Sequence, residues 1–328
     1  MLEHGGKLRA AARQYNIPVD DWLDLSAAIN PSPYPVGNIP ATIWQRLPED
    51  DDELEYIAAQ YYGTDTLLPI AGSQAAIQAL PALIGSTLRV GILHPTYNEH
   101  PHAWKKSGCD IFFLHPEHID KKIDQLDVLL VVNPNNPTGH VFSAEKLLLW
   151  HKILREKNGW LVVDEAFIDA DPQHSVASRA HQHGLIVLRS LGKFFGLAGA
   201  RVGFVFAEKN LLAALHETLG PWTISRPSRL AAIRALQDTQ WQRAQCAALS
   251  DRSTRLAQLL TQHHLTPTGG CALFQWICTP HAQPIHQHLA QQGILTRVYD
   301  TPSSIRFGLP DKEAEWQRLG TALQLVSL

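Results

Sequence analysis

Short apolar runs alternating with amphipathic stretches constrain this chain more than any other feature. Arg89–Leu93, Val128–Val132, Trp160–Val163, Leu185–Leu188 and Val202–Phe206 are apolar throughout rather than at every second residue. Between them lie stretches with helical spacing, among them Ala75–Leu83, Ala144–Glu156 and Asn210–Leu219. A strand that is apolar on both sides must be covered on both sides, and strands separated by helices run mainly parallel. The expected class is therefore α/β, with a sheet covered on both faces. Ligands of such sheets bind at the carboxyl ends of the strands. Those positions read His94-Pro95-Thr96-Tyr97, Asn133 to Gly139, Asp164-Glu165-Ala166-Phe167 and Ser190-Leu191-Gly192-Lys193, where polar, turn-forming and ionisable residues gather.

The last third changes character. A helix-rich run from Ser228 to His264 leads to strand-like segments at Cys271–Cys278, Ile294–Tyr299 and Ser304–Gly308. A closing helix follows, with Asp311 as its expected N-cap. This part reads as a smaller α+β domain joined by the N-terminal arm. The prolines of Asn30-Pro31-Ser32-Pro33-Tyr34-Pro35 exclude helix and make an extended connector. The expected division is residues 37–220 against 1–36 with 221–328.

Composition excludes several classes. In 328 residues, 45% are hydrophobic and the formal net charge is −3, which is unlike a disordered chain. Twenty-eight Lys and Arg against 31 Asp and Glu offer no basic surplus for nucleic acid or an anionic membrane. The longest apolar stretches are far too short to span a bilayer, and the N-terminus has no apolar signal-peptide core. Four scattered cysteines, with no C-x-x-C pair, suit a reduced, cytoplasmic chain. The 17 histidines fall in no metal-ligand spacing.

Four clusters carry chemistry. Ser190 and Arg201 flank Lys193 in Ser190-Leu-Gly-Lys-Phe-Phe-Gly-Leu-Ala-Gly-Ala-Arg201. A lysine in an apolar loop can lose its proton and attack a carbonyl, while a hydroxyl and a guanidinium suit a phosphate. Asp164 ends an apolar strand, an expensive place for a carboxylate unless a cation or donor meets it. Asn133-Pro134-Asn135-Asn136-Pro137-Thr138-Gly139 presents side-chain amides on a rigid turn. Gly72-Ser73-Gln74 opens a helix, where backbone N–H groups can face an anion.

Together, and in this order, the clusters resemble the aspartate-aminotransferase superfamily, the fold type I enzymes dependent on pyridoxal 5'-phosphate, over nearly the whole chain. The resemblance implies a large domain with a seven-stranded, mainly parallel sheet plus a small α+β domain. It implies that Lys193 bonds covalently to the cofactor's aldehyde, that Asp164 pairs with the ring nitrogen and Asn136 with the ring hydroxyl, and that Tyr97 stacks on the ring. Gly72, Ser73, Gln74, Ser190 and Arg201 would hold the cofactor phosphate.

Within that superfamily, His4-Gly5-Gly6, Leu23 to Pro31, Asp164-Glu165-Ala166-Phe167 and Gly293 to Arg297 look like the threonine-phosphate decarboxylases of cobalamin biosynthesis. The sister family, histidinol-phosphate aminotransferase, is the alternative; it usually has Tyr where Phe167 stands. The resemblance implies that Arg306 binds the substrate α-carboxylate, Arg297 the phosphate of a phosphorylated amino acid, and His4 and Asn30 the same substrate. It also implies a homodimer. Leu47 stands where relatives usually have a tyrosine that reaches the neighbouring subunit's cofactor phosphate, a contact leucine cannot make.

Overall fold

The computed structural model describes residues 4–325. The chain divides into two compact units. One comprises residues 33–136 and 141–244; the other comprises the chain up to 32, residues 137–140 and the chain from 245 onward.

The first unit is built on a seven-stranded sheet. Its strands are β1 (Leu67–Ile70), β2 (Arg89–Leu93), β3 (Asp110–Leu114), β4 (Val128–Val132), β5 (Trp160–Asp164), β6 (Leu185–Ser190) and β7 (Gly203–Phe206), in the spatial order β1-β7-β6-β5-β4-β2-β3. From β3 through β6 every pairing is parallel; β7 runs antiparallel to both β6 and β1. Every residue of β4 is buried, as two covered faces require. On one face, Ile77 and Leu80 of α1 (Ser73–Ile84), Trp104 of α2 (Glu99–Lys106) and Leu211 and Leu215 of α4 (Lys209–Leu219) pack on Val90, Leu130, Val162 and Ile186. Between those helices in the chain, α3 (Ala144–Arg155) packs on β5.

Register decides what the sheet presents. Val132 pairs with Asp164 and Asp164 with Leu188, while Ser190 and Ile70 both pair with Gly203. The carboxyl ends of β1, β4, β5 and β6 therefore share one edge with the start of β7. Each of the four clusters lies on a loop leaving that edge.

The second unit holds a four-stranded antiparallel sheet, in the order Arg297–Asp300, Ser303–Gly308, Phe274–Cys278, Gly269–Cys271. Leu23–Asp24 pairs in parallel with Ile294–Leu295, so the N-terminal arm joins this unit through backbone hydrogen bonds. Helices Leu8–Tyr15, Ala282–Gln291 and Glu313–Gln324, with helix Thr239–Gln262 from residue 245 onward, complete it. Asp311 does not cap the last helix, whose N-cap is Lys312. Glu315 does that work, its carboxylate accepting from the N–H groups of Asp311 at 2.7 Å and Lys312 at 3.3 Å. Asp311 is engaged elsewhere: it accepts from Ser32 Oγ at 2.6 Å and pairs with Arg252 at 3.0 Å. Among the described residues no helix is long and apolar enough to cross a membrane.

Candidate active site

A cavity of about 130 Å³ opens at the loop-bearing edge of the seven-stranded sheet. Ser73, Gln74, Tyr97, Asn136, Asp164, Ser190, Lys193 and Arg201 all line it, together with Val132, Ala166 and Phe167. Residues spread over nearly 130 positions of sequence thus meet because four strand ends are in register.

Asp164 is buried, 3% exposed. Its Oδ1 accepts from the Ala166 N–H at 3.0 Å, and His100 Nε2 lies 2.8 Å from its Oδ2. A buried carboxylate needs such partners, since an uncompensated one costs several kcal/mol, on the order of 5. Both fix its orientation. His100 sits on α2, one turn after Tyr97, with the rings edge to face at 6.1 Å. The turn that leads into α2, closed by the His100 N–H donating to Tyr97 O at 3.1 Å, brings together a ring for the cavity and a partner for the carboxylate behind it.

Lys193 follows β6 by three residues, half-buried, its Nζ 5.3 Å from the centroid of the Phe167 ring. That ring gives the amine an apolar wall. Tyr97 donates its hydroxyl to Gln74 Oε1 at 3.4 Å, and Gln74 Nε2 donates to Glu99 Oε2 at 2.7 Å. Burial, reinforced by Glu99 and Asp164, pushes the Tyr97 hydroxyl up to about 12, so it keeps its proton at any working pH. The asparagine turn is tied down by its neighbours. Asn133 exchanges two hydrogen bonds with the Phe142 backbone, at 2.8 and 3.1 Å, and Asn135 donates to Pro95 O at 2.9 Å. These leave Asn136 as the member that lines the cavity.

The N-terminus of α1 has no side-chain cap. Its cap residue, Gly72, has φ 74°, and a Cβ there would lie 2.7 Å from Arg201 Nη2. Only glycine lets the guanidinium come this close to the helix start. Arg201 itself is held at φ 55°, left-handed and costly for a side chain of this size. Helix N–H groups, a hydroxyl and a guanidinium so arranged make an anion site.

Pyridoxal phosphate has a basic ring nitrogen, a ring hydroxyl beside an aldehyde, and a phosphate. The cavity's donor set fits all three: a buried carboxylate, an amide, an amine, and the anion site around Ser73, Ser190 and Arg201. Of the expected cofactor residues, only Gly72 is absent from the cavity wall, and it touches the wall through Arg201. His100 is absent from the sequence reading although it contacts Asp164. No local signal marks it, because a histidine at the start of a helix is ordinarily a surface residue.

The four expected substrate residues lie in the second unit. Arg297 and His4 line a groove of about 300 Å³, along with Lys7, Ser26, His286 and Thr296. The lining contains no carboxylate, so the groove suits an anion. His286 Nδ1 lies 2.8 Å from Thr296 Oγ1. Arg306, buried, donates from Nη2 to Ser26 O at 2.6 Å and stacks on Phe274. Asn30 is buried, and its Oδ1 accepts from the Ser32 N–H at 2.9 Å and Gln245 Nε2 at 3.1 Å. The groove lining does not include Asn30 or Arg306.

Comparison with known proteins follows the same lines. The sequence pattern of the family aminotransferase class I and II matches residues 45–321. The threonine-phosphate decarboxylase of Pseudomonas aeruginosa is 54% identical over 323 residues, 98% of this chain and 97% of that protein. That of a Sinorhizobium species is 38% identical, covering 100% of this chain and 99% of its own. Among solved structures, histidinol-phosphate aminotransferase from Sinorhizobium meliloti, in complex with pyridoxal-5'-phosphate, superposes with a TM-score of 0.82 at 20% identity. It covers 98% of this chain and 94% of that one, a likeness of fold.

Proposed function

Because the chain belongs to the class I and II aminotransferase family and, within it, to the threonine-phosphate decarboxylases, we infer that it decarboxylates L-threonine O-3-phosphate to (R)-1-aminopropan-2-yl phosphate in cobalamin biosynthesis. The observation that carries this reading is the near end-to-end likeness to proteins of that name, at more than half identity for one of them. The enzyme depends on pyridoxal phosphate. In the reaction the bond from Cα to the carboxylate breaks, carbon dioxide leaves, and one proton takes its place. When bound, pyridoxal phosphate supplies the electron sink that the α-carbon lacks.

The chain's own residues do the rest. Asp164, oriented by His100 and the Ala166 N–H, holds a proton at the ring nitrogen and so keeps the ring electron-poor. Asn136 holds the ring hydroxyl, and Tyr97 covers the ring face. Ser190, Arg201 and the N–H groups of Ser73 and Gln74 would bind the cofactor phosphate; Gly72, whose own N–H donates to Ile70 O at 2.7 Å, serves by letting Arg201 approach. Lys193 would bond covalently to the cofactor's aldehyde, and its amine would supply the proton that the α-carbon receives. Phe167 offers no hydroxyl to the ring, unlike the tyrosine usual in the sister aminotransferases.

Arg306 binds the α-carboxylate and Arg297 the phosphate ester; His4 and Asn30 contribute to the same recognition. By fixing both anionic ends of the substrate, the two arginines would set which group at the α-carbon is lost, favouring the carboxylate over the α-hydrogen. The enzyme works as a cytoplasmic homodimer: Cys109 and Cys278 are free thiols, and Trp44, Leu47, Tyr56 and Trp222 leave apolar surface exposed for a partner subunit.

Incubation with pyridoxal phosphate and threonine phosphate should release one carbon dioxide per aminopropyl phosphate formed. Consumption of histidinol phosphate with 2-oxoglutarate, and no carbon dioxide from threonine phosphate, would replace this reading with an aminotransferase.

A further inference from the structure

Directly behind the cofactor cavity lies a charged cluster that none of the steps above uses. In a strand successive side chains point to opposite faces. Asp164 and Ser190, at the ends of β5 and β6, point into the cavity. Glu165 and Arg189, their immediate neighbours, are buried at 0% and 2% exposure and meet each other: Arg189 Nη1 donates to Glu165 Oε2 at 2.9 Å. Arg189 Nη2 donates to Asp169 Oδ1, and its guanidinium carbon lies 4.8 Å from the centroid of the Tyr62 ring.

Both carboxylates have further partners. Glu165 accepts from Ser175 Oγ at 2.6 Å and from the Val176 N–H at 2.8 Å. Asp169 accepts from the Tyr61 hydroxyl at 3.2 Å. The cluster therefore spans two of the segments that furnish the cavity: 164–169, which carries Asp164 and Phe167, and 189–193, which carries Ser190 and Lys193.

We propose that Arg189, clamped between Glu165 and Asp169, is a positioning residue that fixes Asp164 and Lys193 relative to one another across the cavity. This rests on the cofactor roles inferred above for those two residues. A single guanidinium is suited to the task. Its planar fork reaches two carboxylates in fixed directions, which a lysine's point charge does not. The β5–β6 ladder ends at the Glu165 N–H, which donates to Leu188 O at 2.9 Å. Beyond that bond the two loops diverge, and the Arg189 cluster carries the connection onward by side chains. Displacement of a reacting group by about 1 Å can cost roughly 100-fold in rate.

The test uses the holoenzyme and four variants. In Arg189→Gln, kcat for carbon dioxide release should fall roughly 100-fold while KM changes less than about three-fold. The pH midpoint of the bound cofactor's visible absorption should also shift, because it reports the amine and the ring nitrogen together. Arg189→Lys should recover part of both. Leu154→Ala, a cavity at the far end of β5, should lower the melting temperature comparably and leave the absorption midpoint in place.

If Arg189→Gln folds with an unmoved midpoint and unchanged kcat, the cluster only stabilises the fold and the proposal is overturned. Should Arg189→Gln fail to fold, Arg189→Lys and Glu165→Gln decide, and unmoved midpoints in both overturn it. A wild type that releases no carbon dioxide from threonine phosphate would refute the substrate assignment instead, and the absorption titration would still decide the clamp.

Discussion

A single carboxylate at a strand end shows how residue identity becomes chemistry. Asp164 closes an otherwise apolar run, and burial there is tolerable only because the Ala166 N–H and His100 meet its two oxygens. The aspartate was legible in the sequence because polarity at that position breaks the pattern. His100 was not, because a histidine on a helix is ordinarily a surface residue and nothing in sequence separates the buried one. Asp164→Asn is close to isosteric and should fold. Losing the charge that holds the ring nitrogen's proton should lower kcat by 100-fold or more while KM moves a few-fold, the mark of an interaction realised mainly in the transition state. Steady-state kinetics on threonine phosphate checks it, and an unchanged kcat would remove Asp164 from its role. His100→Phe should give a smaller loss of the same kind, since the Ala166 N–H still orients the carboxylate.

Elements were legible where both faces are covered. Runs read as Arg89–Leu93 and Val128–Val132 are strands with those bounds. The edges were harder. β1 contains Pro69, which disguises it as a turn; proline is tolerated there because an edge strand has a free side. At the other edge, β3 exposes Phe112 and Phe113, so it lacks the burial that makes the central strands stand out. The long helical run after Ser228 breaks at Asp238 into helices Arg226–Gln237 and Thr239–Gln262.

Burial on an element also sets a pH response. His151 on α3 is buried, and its Nε2–H donates to His183 O at 2.9 Å. Burial holds its pKa below the usual histidine value, the backbone bond opposing only in part. A depressed folded-state pKa means that the stability linked to this group is present above the unfolded value of about 6.5 and is lost as pH falls through the folded value. His94, lowered for the same leading reason, adds to the effect. The urea midpoint should therefore fall between pH 7 and 5. His151→Gln should flatten that slope by at most one proton, about 1.4 kcal/mol per pH unit. Parallel pH profiles for wild type and variant would show the role to be wrong.

At the scale of the whole molecule, the exposed apolar side chains are the informative feature. Trp44 is 66% exposed and Leu47 61%, three residues apart, with Tyr56 and Trp222 similarly open. Single exposed leucines are ordinary, but two tryptophans this exposed leave substantial apolar area uncovered. A homodimer that covers them should have aromatic anchors at its centre, where truncations cost most. Trp44→Asp places a charge in such an interface and should weaken association by at least about 2 kcal/mol, or roughly 30-fold in the dissociation constant. Sedimentation over a range of concentrations measures this directly. Leu47→Tyr probes the same surface from the opposite direction. If Leu47 faces the cofactor phosphate of a partner subunit, a tyrosine hydroxyl there adds one hydrogen bond to a charged group, worth about 1.5–3 kcal/mol. Cofactor affinity should then rise by ten-fold or more, and the gain should vanish when Trp44→Asp is combined with it, because a monomer has no partner phosphate to reach. A gain that survives in the monomeric double variant would place the new hydroxyl on its own subunit's cofactor, and no gain in the dimer would remove Leu47 from that interface.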